Sequence, residues 1–169
     1  MWPERAIELS PFGALSQAHT LGEDGDRRTV AFPTSLLPCQ ETMTLRVLVV
    51  DDHPAFRRAL TSALNRVKDI EVAGEAGGGR EAATRAVEGD PDLVLMDLSM
   101  PDLDGIEAMR RIHKRKPDLP VVILTAHADP GVERAARDAG ASGFLAKGTA
   151  LEDLVIVLQE AAEGATYPT

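Results

Sequence analysis

The chain has 169 residues, 44% of them hydrophobic and 27% charged, which is enough for one soluble domain with a real core. Its 27 acidic and 18 basic residues leave a net charge of -9, so it lacks the electrostatic footprint of a nucleic-acid binder. No apolar run is long enough to span a bilayer, and MWPERAIELS has no basic region followed by an apolar one, so neither a membrane nor secretion is expected. Cys39 is the one cysteine, which excludes a disulfide within the chain and favours a reducing cytoplasm.

Residues 1–42 carry Pro3, Pro11, Pro33 and Pro38 with Gly13, Gly22 and Gly25 and keep no sustained period. They read as a disordered or loosely packed extension. From Met43 the pattern becomes regular, and MTLRVLVVDD looks like an ordinary protein start, so the domain is placed at 43–169 with its core at about 45–164. The predicted strands are RVLVV (46–50), IEVAGE (70–75), DLVLMD (92–97), VVILTA (121–126) and GFLAK (143–147). Helical stripes fall between and after them. Phe56, Leu60 and Leu64 form the first. Val132, Ala135, Ala136 and Ala139 form another, opened by Asp129-Pro130 and closed by Gly140, while Leu151, Leu154, Val155 and Leu158 form the last. Apolar runs without alternation predict strands buried on both faces, hence a parallel sheet covered by helices. Five strands alternating with five helices predict a doubly wound α/β domain.

In such sheets the chemistry lies beyond the carboxyl ends of the strands. The first strand ends at Asp51 and Asp52, the third at Asp97, the fourth at Thr125 and the fifth at Lys147. Taken singly these are ordinary residues: a cap, a packed threonine, a surface lysine. Their shared edge makes them a candidate site. Two carboxylates about 4 Å apart repel by roughly 4 kcal/mol at an effective dielectric of 20. Lys147 and a divalent cation are the two groups able to relieve that repulsion, and an all-oxygen set suits Mg²⁺. A carboxylate beside Mg²⁺, an ammonium and a hydroxyl is equipped for phosphoryl transfer. GGG (77–79) lacks the Gly-Lys-Ser/Thr of a phosphate loop and reads as a flexible turn. The basic run MRRIHKRKP (109–117) reads as a solvated helix end whose cations complement the helix dipole.

The segments VLVVDDHP, PDLVLMDLSMPDLDG, VVILTA and GASGFLAKG, in that order, resemble the receiver domain of bacterial two-component response regulators over about residues 45–164. DDHP and GASGFLAKG are similar to receivers of regulators with a LuxR-type helix-turn-helix output domain. The resemblance implies a flavodoxin-like sheet of order 2-1-3-4-5. It implies Asp97 as the phosphoacceptor for a sensor histidine kinase or phosphotransfer protein. Asp52, Asp51, Asp97 and the Ser99 carbonyl would be the Mg²⁺ ligands. Thr125 and Lys147 would bond the phosphoryl oxygens, and Phe144 would be an aromatic switch that turns inward with Thr125. Pro101 and Gly105 fit the loop into the next helix, and His53 is read as a kinase-facing surface residue. Ser99 and His127 lie two residues after Asp97 and Thr125, close enough to tune attacking water. Gly148 stands where many receivers have proline, against any mechanism that needs a cis peptide there.

AAEGATYPT (161–169) resembles the start of a linker to an output domain, so the expectation is a receiver without one. It would switch a partner- or self-association surface, as a homodimer or a heterodimer with other regulators, and would not itself bind nucleic acid. Ile156, placed opposite Leu151, Leu154 and Leu158 among Glu152, Asp153 and Glu160, points to a contact on the last helix. Such a protein is no enzyme beyond phosphorylating and dephosphorylating itself. Two other readings are weighed. A haloacid-dehalogenase-like phosphatase uses the same residue types, but it opens on Asp-x-Asp and places its acidic pair last. A degenerate receiver would act without phosphorylation.

Overall fold

The computed structural model describes residues 44–126 and 129–164. The expected N-terminal extension (1–42), His127 and the final residues of the linker-like tail (165–169) lie outside the described residues. Strands and helices alternate throughout: β1 (Leu45–Val50), α1 (Pro54–Leu64), β2 (Ile70–Ala76), α2 (Gly79–Glu88), β3 (Leu93–Met96), α3 (Gly105–His113), β4 (Val121–Thr125), α4 (Pro130–Asp138), β5 (Gly143–Ala146) and α5 (Leu151–Ala162). All five strands pair in parallel, in the order β2-β1-β3-β4-β5. The doubly wound sheet read from the sequence is therefore present.

The unbroken apolar runs have the physical meaning assigned to them. Every residue of β3 and β4 is buried, and β1 is buried from Val47 to Val50. Strand alternation divides those side chains between two layers. Leu48, Val50, Val94, Met96 and Ile123 meet Ala82, Ala86, Ala108, Met109 and Ile112 of α2 and α3. Val47, Val49, Leu93, Leu95 and Leu124 meet Leu64 of α1 and Leu154 and Leu158 of α5. The two edge strands depart from the expectation: β2 and β5 are mostly half-buried, because each has a neighbour on one side only. In α4 only Ala136 of the expected stripe is fully buried, and Ala135 is exposed. Its ends are as read, with Asp129 accepting from the N–H groups of Gly131 and Val132 and Gly140 at φ +98° just past the helix.

GGG is more than a flexible turn. Gly78 caps α2 and Gly79 opens it, both packed against the loop that follows β3. A Cβ on Gly78 would lie 2.6 Å from Asp102 Oδ1, and one on Gly79 would lie 2.5 Å from the Leu103 carbonyl oxygen. The missing side chains admit the Asp102 carboxylate, which accepts from Gly79 N–H at 3.0 Å and Arg80 N–H at 3.1 Å. Asp102 thus caps, from a distant loop, a helix whose own N-cap residue has no side chain. The Arg80 N–H, opposed by burial and helped by the Gly79 N–H, holds the Asp102 carboxyl below its ordinary 3.8.

Asp102→Ala should lower stability by about 1 kcal/mol, read as a drop in urea midpoint at neutral pH. A depressed pKa means that the ionised cap stabilises above the ordinary value of 3.8 and is lost as pH falls through the folded value below it. The gap between wild type and Asp102→Ala should therefore hold at neutral pH and narrow below about 3.8. A gap independent of pH down to about pH 3 would show that the charge contributes nothing.

Candidate functional site

Parallel pairing brings the carboxyl ends of the strands to one edge, and the backbone ladder runs one residue past β1, β3 and β5. Asp51 N–H donates to the Ala76 carbonyl at 3.1 Å, Asp97 N–H to the Val50 carbonyl at 2.8 Å, and Lys147 N–H to the Thr125 carbonyl at 2.7 Å. Asp51, Asp97 and Lys147 therefore sit on backbone fixed by the sheet rather than on free loops. Asp51 and Asp97 are 2% and 3% exposed, and Thr125 is fully buried.

Lys147 joins the two buried acids. Its Nζ lies 2.6 Å from Asp51 Oδ2 and 2.8 Å from Asp97 Oδ2. Burial pushes the ammonium pKa down, but the hydrogen bonds and charges of Asp51 and Asp97 outweigh it and the net shift is upward. Lys147 is thus held charged. Its Nζ also stands 4.8 Å from the centre of the Phe56 ring, a cation–π contact. From the sequence Phe56 was only part of the α1 core stripe; its place within a turn of the acidic pair was the one available signal.

Asp51 is clamped further. Its Oδ1 accepts from His53 N–H at 2.8 Å, and its carbonyl accepts from Arg57 Nη1 at 2.5 Å. Arg57 Nε donates in turn to Glu75 Oε2 at 3.0 Å. Sequence reasoning missed Arg57, because one arginine in a helix carries no sign of the carbonyl it will meet. Ser99 N–H lies 3.3 Å from Asp97 Oδ1, and Ser99 shares an open cleft of about 810 Å³ with Asp52, Met100 and Pro101. Phe144 is half-buried on β5, in register with Ile123, and packs against the core on the α2–α3–α4 side. The Lys147–Gly148 peptide is trans, with Gly148 at φ +108°.

The residues present fit a divalent cation. Ligand atoms of Asp51, Asp52, His53 and Asp97 lie within 4.8 Å of one another. Three carboxylates against the single Lys147 ammonium leave two negative charges uncompensated. Asp52 Oδ1 is buried yet accepts no hydrogen bond, and its close neighbour is His53 Nδ1 at 2.8 Å. The His53 side chain is 72% exposed, so it faces solvent more than the cluster. A buried carboxylate oxygen without a hydrogen bond suits a cation, and a carboxylate set suits a hard one.

The sequence matches the response regulator receiver domain family over residues 47–159. The response regulator protein VraR of Staphylococcus aureus is 40% identical over 122 residues, 72% of this chain and 58% of VraR. The chain thus spans little more than half the length of the curated relatives it matches. Among solved structures, it is similar to the signal receiver domain of the putative response regulator NarL from Mycobacterium tuberculosis. There the TM-score is 0.66 at 33% identity, over 72% of this chain and 98% of that one. It is also similar to the isolated REC domain of RcsB from Salmonella enterica, solved with the phosphomimetic BeF3-. That match has a TM-score of 0.66 at 26% identity, over 73% of this chain and 92% of that one. With its sheet order, its acidic cluster and these likenesses in agreement, the chain belongs to the response regulator receiver domain family.

Proposed function

We propose that this receiver is switched by phosphorylation of Asp97, with a sensor histidine kinase or phosphotransfer protein as donor and Mg²⁺ as cofactor. One observation carries the reading: Asp97, buried at a strand end, is held 2.8 Å from Lys147 beside two further carboxylates, one of them with an unsatisfied oxygen. The RcsB domain solved with a phosphomimetic supports it by likeness.

The chemistry follows from the charges. A carboxylate oxygen of Asp97 attacks the phosphorus of a phosphohistidine; the P–N bond breaks and its electron pair leaves with the imidazole nitrogen. Attack by water on the resulting acyl phosphate returns the Asp97 carboxylate and inorganic phosphate. Asp51, Asp52, Asp97 and the Ser99 carbonyl are the residues that would hold Mg²⁺, which would supply positive charge for the phosphoryl oxygens. Lys147 gives up Asp97 Oδ2 to pair with a phosphoryl oxygen, and the Thr125 hydroxyl donates to another. Phe144, half-buried two residues before Ala146, the register partner of Thr125, turns inward as Thr125 moves. The consequence is a changed surface for a partner, a second copy or another regulator, in the cytoplasm.

The loop after β3 is held tightly for this role. A Cβ on Gly105 would lie 2.4 Å from the Asp97 carbonyl oxygen and 3.0 Å from Leu98 Cα, so the backbone of the phosphoacceptor packs directly on the start of α3.

With Mg²⁺ and a small-molecule phosphodonor, wild type should gain the mass of one phosphoryl group, and Asp97→Asn should gain none. An unchanged mass in folded, Mg²⁺-bound wild type, or an equal gain in the variant, would overturn the proposal. Gly105→Ala should displace the Asp97 carbonyl, destabilise the fold by about 1–3 kcal/mol and slow phosphorylation by about tenfold or more. Phosphorylation at the wild-type rate in that variant would show that the loop backbone does not position Asp97.

A further inference from the structure

Two charged surfaces lie away from the phosphoacceptor edge, and neither meets a counterpart among the described residues. The first is a groove of about 420 Å³ between α2 and the end of α3. Ala83 and Val87 give it an apolar floor, while Arg80, Arg111, Lys114 and Arg115 give it a cationic rim, with Glu88 as its one acid. Arg111 pairs with Glu107 on its own helix. The side chains of Arg80, Lys114 and Arg115 make no ion pair or hydrogen bond among the described residues. In a chain of net charge -9 this concentration of positive charge is unusual.

The second surface is the outer face of α5. Ile156 is 52% exposed, the only large hydrophobic side chain so exposed among the described residues. At helical spacing around it stand Glu152, Asp153, Glu160 and Glu163, all exposed and without ion pairs among the described residues. Glu160 and Glu163 also sit at the C-terminal end of α5, where the helix dipole disfavours negative charge and no basic residue offsets it. That arrangement does not serve the isolated helix.

The two surfaces match: an exposed isoleucine in an acidic surround, and an apolar floor in a cationic rim. Because α2 and α3 cover one face of the sheet and α5 the other, they cannot meet within one copy. Two-fold pairing through α5 alone would set these carboxylates against their own copies, which charge repulsion opposes. We propose that the α2–α3 groove docks the α5 face of a second copy of this chain, head to tail. Each such contact leaves one groove and one α5 face free, so association propagates instead of stopping at a dimer. This contact is separate from the phosphorylation chemistry and needs no phosphodonor.

Sedimentation of the full chain, with variants at each surface, tests it. Wild type at low salt should gain average mass steadily with concentration, past the dimer, and lose it as salt is raised. Lys114→Glu with Arg115→Glu, and separately Ile156→Asp, should each weaken self-association by about tenfold or more. Both substitutions are on solvent faces, and circular dichroism checks that each variant is folded. Mixed in equal amounts, the groove variant still offers α5 and the α5 variant still offers its groove, so a discrete one-to-one heterodimer should form. A wild type that stays monomeric at its highest soluble concentration would overturn the proposal. So would self-association unaffected by either change, or folded variants that fail to pair with each other.

Discussion

A single ammonium shared between two buried carboxylates is the contact on which the site depends. Lys147 reaches Asp51 at the end of β1 and Asp97 at the end of β3, two strands that pair directly, from β5 at the far edge. Without a cation between them, two carboxylates at this separation repel by roughly 4 kcal/mol at an effective dielectric of 20, and burial raises the cost further. The ammonium offsets that repulsion only in part. Two negative charges and one unsatisfied Asp52 oxygen remain, and a divalent cation answers both.

Everything else near the edge limits movement. The ladder hydrogen bonds that run past β1, β3 and β5 fix the backbone of Asp51, Asp97 and Lys147. Arg57 ties the Asp51 carbonyl to β2 through Glu75, and Phe56 stands over the ammonium. The loop after β3 is held at both ends, by Gly105 against the Asp97 backbone and by Asp102 at the start of α2. A charge change at Asp97 therefore acts on a loop that also caps a neighbouring helix. Packed elements of this kind shift between discrete arrangements more readily than they deform continuously.

The sheet, its order of elements and the edge where the charged residues meet were legible because they rest on unbroken apolar runs and on the side at which parallel strands end. VLVV, LVLM and VVILT are buried on both faces; Asp51 and Asp97 directly follow the first two, and Thr125 ends the third. What the sequence concealed were contacts between residues far apart in the chain. Nothing in GGG shows that a carboxylate from residue 102 will fill the space its missing side chains leave. Nothing in Arg57 or Phe56 names the carbonyl or the ammonium each will meet, since a helical stripe encodes which face is inward and not what lies there. The edge strands and α4 were read as more buried than they are, because period alone does not say how many neighbours an element has.

The most direct test of the account is the thermal unfolding of wild type and Asp52→Asn across a Mg²⁺ titration, with no phosphodonor present. If the two uncompensated charges are completed by a divalent cation, the wild-type Tm rises with Mg²⁺, by the equivalent of about 2.7 kcal/mol at a hundredfold excess over Kd. Asp52→Asn should respond only at much higher Mg²⁺. A wild-type Tm that does not move with Mg²⁺, or an equal response in both proteins, would contradict the claim that this acidic edge is built to hold a metal.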